Sequence, residues 1–242
     1  MTNLNVIIAA ATLPAFVLLY YIWRRDKYQR EPVSQLLRGF LYGILAVFVA
    51  APIELLLEKT GMVPENPQTW LGCVFDAFFG VALVEEGVKL LFLWLLLRRN
   101  KYYDEMVDGI VYAVAVGMGF AAAENIFYLI GNIENWQQIA VGRAIFSVPG
   151  HFMFAVIMGY YYSIAHFTYA SRKERRRVLT MPILLHGIFD SLLMIINISP
   201  AFAGILWLLF VVFCLTLPRM ANRKINHLLK EDRLWKITTI MD

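Results

Sequence analysis

Seven apolar blocks of 17 to 28 residues occupy most of this 242-residue chain: Leu4–Trp23, Phe40–Leu57, Trp70–Leu97, Met106–Ile130, Ala144–Tyr169, Val178–Ile198 and Ala201–Leu217. At about 1.5 Å of rise per residue, helices of such lengths cross a hydrocarbon layer of about 30 Å. Backbone groups in lipid must be satisfied within their own segment, so the blocks predict helices. The expected fold class is all-α, a polytopic membrane helix bundle of about seven transmembrane helices. Pro200 blurs the boundary between blocks six and seven. Composition agrees, with 60% hydrophobic and 17% charged residues, against about 45–50% and about 25% in an average soluble domain. Abundant aromatic residues exclude disorder, and two cysteines exclude a disulfide scaffold. Cys73 and Cys214 fall near opposite membrane faces, too far apart to bridge. No repeat or linker divides the chain, which reads as one membrane domain over 1–242, with a polar core over about 70–198 and a tail over 219–242.

Orientation follows from the basic residues, since short cytoplasmic loops collect Lys and Arg. Nineteen of the 22 fall on one set of block ends: Arg24 to Arg38, Arg98 to Lys101, Arg172 to Arg177, and the tail from Arg219 to Lys236. The opposite ends hold Lys59 and Arg143, and Lys89 lies within a span. This predicts an outside N-terminus and a cytoplasmic C-terminus. The first block precedes its positive cluster, so it reads as an uncleaved span rather than a secretory signal. Basic residues confined to block ends point to topology and to contact with membrane lipids, not to nucleic acid. Ile225, Leu228, Leu229 and Trp235 recur at roughly helical spacing among charges, which suits either a helix on the inner membrane surface or a frayed tail.

Charge in mid-membrane costs a few kcal/mol, about 2.5–3.5 on insertion scales, so ionisable residues within the blocks are informative. Block three carries Glu85, Glu86 and Lys89; block four Glu124, followed by Asn125; block five His151; block six His186 and Asp190. With each block centred on the bilayer, Glu85 and Glu86 fall at the middle, His186 and Asp190 about 3 Å to either side, and Glu124 and His151 about 9 Å toward the outside. That band predicts one pocket reached by water from the outer face. His186 and Asp190 stand at i and i+4 on one helix face, as do Glu85 and Lys89, while Glu86 lies about 100° around. Lys89 is expected to hold one carboxylate and leave the other to titrate. Small residues at spacing four, Ala113, Gly117 and Ala121 beside Ala115, Gly119 and Ala123, predict close helix packing. Pro149-Gly150 is expected to kink or break span five and redirect His151.

Taken singly, each group has a plainer explanation. A lone buried histidine is usually a packing residue and an isolated Glu–Lys pair usually structural. Glu54, Asp76 and Asp108, near block ends, suit interfacial or helix-terminal roles. The conjunction of three Glu, two His and an Asp on four blocks is what those explanations leave out.

The same residues resemble the PrsW intramembrane proteases. Val84-Glu85-Glu86-Gly87-Val88-Lys89 matches that family's EExxK motif, Phe120-Ala121-Ala122-Ala123-Glu124 its FxxxE motif, and His186-Gly187-Ile188-Phe189-Asp190 its HxxxD motif, in the same order. Pro149-Gly150-His151 begins another similar stretch, and the resemblance spans about Asp76 to Leu193. It implies an enzyme that makes the first cut in a single-pass anti-sigma factor on its outer side, starting regulated intramembrane proteolysis in a bacterial cell membrane. Where the related CAAX prenyl proteases have FxxxH, this chain has Glu124, and His151 is the candidate to take that histidine's place.

The implied chemistry is hydrolysis by an activated water. Glu85 or Glu86 acts as base, helped by His151 and His186; Glu124 and Asp190 orient, and His186 or Asn125 stabilises the oxyanion. Kinship with the prenyl proteases favours Glu85, whereas its spacing from Lys89 argues for Glu86. No cofactor is expected, although a zinc site built from His151, His186, Asp190 and Glu124 is the alternative; no HExxH is present. A proton- or cation-coupled transporter and a non-catalytic scaffold are the rival function classes, while Ser147 and Ser191 lack a nucleophile motif.

Overall fold

The computed structural model describes residues 4–27 and 29–241, with side chains described to residue 237. Among them no strand occurs, and the predicted blocks emerge as helices. They are α1 (Leu4–Arg25), α2 (Val33–Lys59), α3 (Trp70–Phe75), α4 (Leu83–Leu97), α5 (Asp108–Gly131), α6 (Trp136–Gly142), α7 (Val148–Phe167), α8 (Arg172–Ile198) and α9 (Ala203–Met241). Two π-helical segments, Asp76–Ala82 and Arg143–Ser147, join α3 to α4 and α6 to α7, and a 3₁₀ turn over Pro200–Phe202 leads into α9. Six helices are long and apolar enough to cross a membrane. The remaining block is helical from Trp70 to Leu97, but Asp76, Glu85, Glu86 and Lys89 load it with charge.

The centre of the bundle is α5, buried without interruption from Asp108 to Ala123 and flanked by α1, α2 and α7. Its small residues explain the position. A Cβ added to Gly119 would overlap the carbonyl oxygen of Phe40 on α2, and one on Gly43 would overlap that of Val116. On the other side Gly117 faces Ala155, and Gly159 of α7 lies against the backbone of Gly109. Such approaches bring backbones together where no difference in hydrophobicity drives helices out of lipid. The outer helices turn large apolar residues outward, among them Leu13, Phe48 and Leu208.

Two expectations are revised. Pro149 does not break its helix; α7 runs through it, and the irregularity lies just before, in the π-segment Arg143–Ser147. A proline in an α-helix removes the bond to the carbonyl four residues back and crowds it. For Pro149 that carbonyl belongs to Ile145, inside the π-segment that absorbs the misfit.

Through the described residues the tail is helical and docked on the bundle rather than frayed. α9 continues through Pro218 and returns Ala221, Ile225 and Leu228 to the core formed with α1, α5 and α7. Polar contacts dock it further: Asp232 accepts from the backbone N–H groups of Met106 (2.7 Å) and Val107 (2.9 Å), and Lys236 pairs with Glu105. Arg25 of α1 donates to Asn226 at 2.5 Å and Asn222 at 3.3 Å. The free N–H groups ahead of α5 supply the donors that a buried carboxylate needs, so Asp232 of the tail makes an interior contact.

Candidate active site

Four elements bring the intramembrane polar groups together. The first turn of α4 supplies Glu85 and Glu86, with Lys89 one turn on; α5 supplies Glu124 and Asn125, α7 His151, and α8 His186 and Asp190. Gly187 lets α8 approach, since a Cβ there would stand 2.7 Å from the ring of Phe78 in the first π-segment.

Lys89 lies at the centre. Its ammonium donates to Glu85 Oε2 and to Glu86 Oε1, each at 2.8 Å, and to His151 Nδ1 at 3.2 Å, and it sits 3.9 Å from the centroid of the Phe120 ring. It therefore holds both carboxylates rather than one. Because three ammonium hydrogens have no acceptor capacity, Nδ1 of His151 must accept, and its ring proton belongs on Nε2. That nitrogen meets Glu124 Oε2 at 2.9 Å. His186 presents Nδ1 to Glu86 Oε1 at 3.0 Å and Nε2 to Asp190 Oδ2 at 3.1 Å, so both ring nitrogens face carboxylate oxygens. Its ring stacks on Phe154, 4.9 Å between centroids, and stands edge-on to His151 at 5.3 Å.

Arg143 completes the chain and was not among the expected site residues; by position it reads as an outer-loop charge. Its Nη2 donates to Glu124 Oε2 at 2.8 Å and its Nε to Asn125 Oδ1 at 2.5 Å, while the guanidinium covers Tyr128 at 4.0 Å. Asn125 in turn donates to the carbonyl of Ala11 on α1 at 3.1 Å. Asn125 is thus committed to holding α1 and Arg143, and it does not line the adjoining cavity. The one signal in the sequence is the eight-residue spacing of Arg143 from His151, about two helical turns, which places both toward one face.

The cavity has a volume of about 760 Å³ and is lined by Glu85, Glu124, Arg143, His151, His186 and Asp190, but not by Glu86 or Lys89. Glu85 is therefore the member of the pair that a molecule in the cavity meets, and Glu86 stands behind it, fixed between Lys89 and His186. Glu54, Glu58 and Asp76 line the same space, so Glu54 and Asp76 belong to the cavity wall rather than to the interface. Apolar walls come from Val47, Phe146, Leu193 and Trp207.

The ligand atoms closest to one another differ from the set expected for zinc. One oxygen each of Glu85 and Glu86 and one nitrogen each of His151 and His186 lie within 4.8 Å of one another, and all four residues are buried. Glu124 and Asp190 instead bind the far nitrogens of the two histidines.

Comparison with known proteins places the chain. The family profile described as PrsW family intramembrane metalloprotease matches residues 31–217. Protease PrsW of Bacillus subtilis (strain 168) is 38% identical over 192 residues, covering 77% of this chain and 82% of that protein. Protease PrsW of Geobacillus kaustophilus (strain HTA426) is 38% identical over 192 residues (78% and 80%), and that of Clostridioides difficile (strain 630) 36% over 191 residues (76% and 78%). No solved structure shows a significant match. With a profile match over most of its length, relatives of this similarity, and a bundle whose helices are built to cross the bilayer, the chain is a multi-pass cell-membrane protein and belongs to the PrsW family of intramembrane proteases.

Proposed function

We propose that this protease cleaves a single-pass membrane protein, an anti-sigma factor, outside the cytoplasmic face, as the first cut of regulated intramembrane proteolysis. The observation that carries the catalytic part is the contact of Glu85 with the cavity while Glu86 and Lys89 lie behind it. In this reading Glu85 takes a proton from a water, the water oxygen adds to the scissile carbonyl carbon, and Glu85 then passes the proton to the departing amine as the C–N bond breaks. His186 and Arg143, which line the same space, offer positive charge to the tetrahedral oxyanion. Glu124 and Asp190 orient the histidines.

The family description names a metalloprotease, and Glu85, Glu86, His151 and His186 form a group of the right chemistry for a divalent cation. Their arrangement does not fit one, because the Lys89 ammonium is within 3.2 Å of a donor atom on three of the four. A metal there would have to displace a cation already hydrogen-bonded to its ligands. The reaction above therefore uses none.

The test is co-expression with candidate single-pass anti-sigma factors, comparing wild type with Glu85→Ala, Glu86→Ala and His186→Ala at matched membrane levels. Release of the outer domain by wild type alone is expected; equal release by well-folded variants would overturn the site.

A further inference from the structure

A second cavity, of about 660 Å³, lies at the basic end of the bundle, away from the protease site. It is lined by Arg219, Arg223, Lys224 and His227 of α9, with Thr216, Met220 and Tyr160. No carboxylate is in this lining. Lys224 sits 3.9 Å from the centroid of the Tyr160 ring and 5.0 Å from that of Tyr161, and Arg177 of α8 reaches the same Tyr161 ring at 5.8 Å. Two cations thus share one aromatic ring, and among the described residues no carboxylate pairs with Arg177, Arg219, Arg223 or Lys224. Glu174 of α8 caps its helix with Ser171 and acts on Arg177 only through its charge, as Glu231 of α9 acts on Tyr160. A lining that holds cations and no carboxylate suits an anion from outside the chain.

The same helix indicates which anion. Leu208, Val212 and Leu215 are 61%, 50% and 58% exposed, on a helix whose composition is that of a membrane span. Arg219 and Arg223 continue that stripe at steps of four residues, on the same helix face. An apolar strip that passes into a cationic pocket at the end of the span matches an acyl chain leading to a phosphate. We infer that α9, with Tyr160 and Arg177, forms a binding site for an anionic phospholipid, its phosphodiester held by Arg219, Arg223 and Lys224 and its chain lying along Leu208, Val212 and Leu215. A soluble phosphate has no use for the apolar strip.

The test uses the full chain reconstituted with equal phosphatidylglycerol and phosphatidylcholine, with retained lipids counted by native mass spectrometry. Each basic residue near the surface contributes about fivefold to anionic-lipid binding. Wild type is therefore expected to retain phosphatidylglycerol preferentially, and Arg219→Gln/Arg223→Gln to lose about 25-fold of that preference at an unchanged melting temperature. The control Arg172→Gln/Lys173→Gln, two exposed cations elsewhere on the same end, is expected to keep it. Equal retention of the two lipids by wild type, an unchanged preference in the α9 variant, or an equal loss in the control would overturn the site. Displacement of phosphatidylglycerol by millimolar inorganic phosphate would convert it to a soluble-anion pocket and overturn the lipid assignment.

Discussion

The ammonium of Lys89 and Nδ1 of His151 meet at 3.2 Å, which makes the ring nitrogen an acceptor and turns the ring's proton toward Glu124. One cation thereby sets the charge state around two carboxylates and the tautomer of a histidine on another helix.

Removing that cation should be costly. Lys89→Met leaves Glu85 and Glu86 buried side by side without their counter-ion, and breaking a buried pair costs about 3–5 kcal/mol. A large drop in melting temperature in detergent is expected, together with loss of cleavage. Adding Glu86→Gln to Lys89→Met should recover part of the stability and none of the activity. An undiminished melting temperature in the single variant would contradict the central role given to Lys89.

The two glutamates should separate by assay. Glu85→Gln is expected to lower turnover by about 10²- to 10⁴-fold, the range of a lost general base, with a smaller fall in melting temperature than Glu86→Gln, since Lys89 keeps Glu86 and His186 keeps its partner. Glu86→Gln, which loosens Lys89 and His186, should lower both. If Glu85→Gln cuts at the wild-type rate while Glu86→Gln does not, the base is Glu86.

Arg143 binds Glu124 and Asn125 through two different nitrogens, a geometry that lysine cannot reproduce. Arg143→Lys should therefore recover only part of the tenfold or greater loss expected for Arg143→Gln. The loss should lie mainly in kcat, measured on a detergent-solubilised substrate, with KM little changed. Full activity in Arg143→Gln would reduce the residue to a surface charge.

Chelation should leave cleavage unchanged, since an ammonium already stands among the candidate ligands. Loss of activity in metal-stripped buffer, restored by zinc, would reverse that conclusion and assign Glu85, Glu86, His151 and His186 as ligands.

A pH effect is expected at the basic end. Glu31, between α1 and α2, is buried beside Asp108 and receives the Tyr112 hydroxyl; burial pushes its pKa up to about 7, with Asp26 and Asp104 adding to the rise and Tyr112 opposing it. The folded state then holds a proton that the unfolded chain, with a carboxyl near 4.5, releases earlier. Between those two values the native state binds more protons, so stability falls as pH rises from about 4.5 through about 7. Melting curves across this window should show the decline in wild type and a smaller one in Glu31→Gln.

Much of the architecture is legible in the residue order because lipid permits few solutions. The seven blocks became helices within a few residues of their apolar limits, apart from α2 and α8, which begin earlier, and α9, which extends far beyond Leu217. The glycine and alanine rows of α5 likewise announce close packing. What the order conceals is contact between distant segments. Arg143 reads as a loop charge until Glu124 is seen beneath it, and Asp232 as part of a solvated tail until the N–H groups of Met106 and Val107 are seen facing it. Depth counting put Glu124 and Glu85 at different levels, but Lys89 and His151 bridge between them.

The two π-segments end three residues before Glu85 and four before His151. Wider turns accommodate one more residue than an α-helix over the same stretch, so each segment stores a register offset. Deleting one residue of Asp76–Ala82 would let the stretch relax to an α-helix with its flanks near their present bearing, whereas deleting Gly87 from the regular helix would turn Lys89 by about 100° against Glu85 and Glu86. The helix would keep almost its full length, yet Lys89 would leave the two carboxylates that it now holds. Length variation in this chain is therefore cheap in the 60–69 connection and in the wider turns, and costly between Glu86 and Lys89, where the spacing sets the ion pairs.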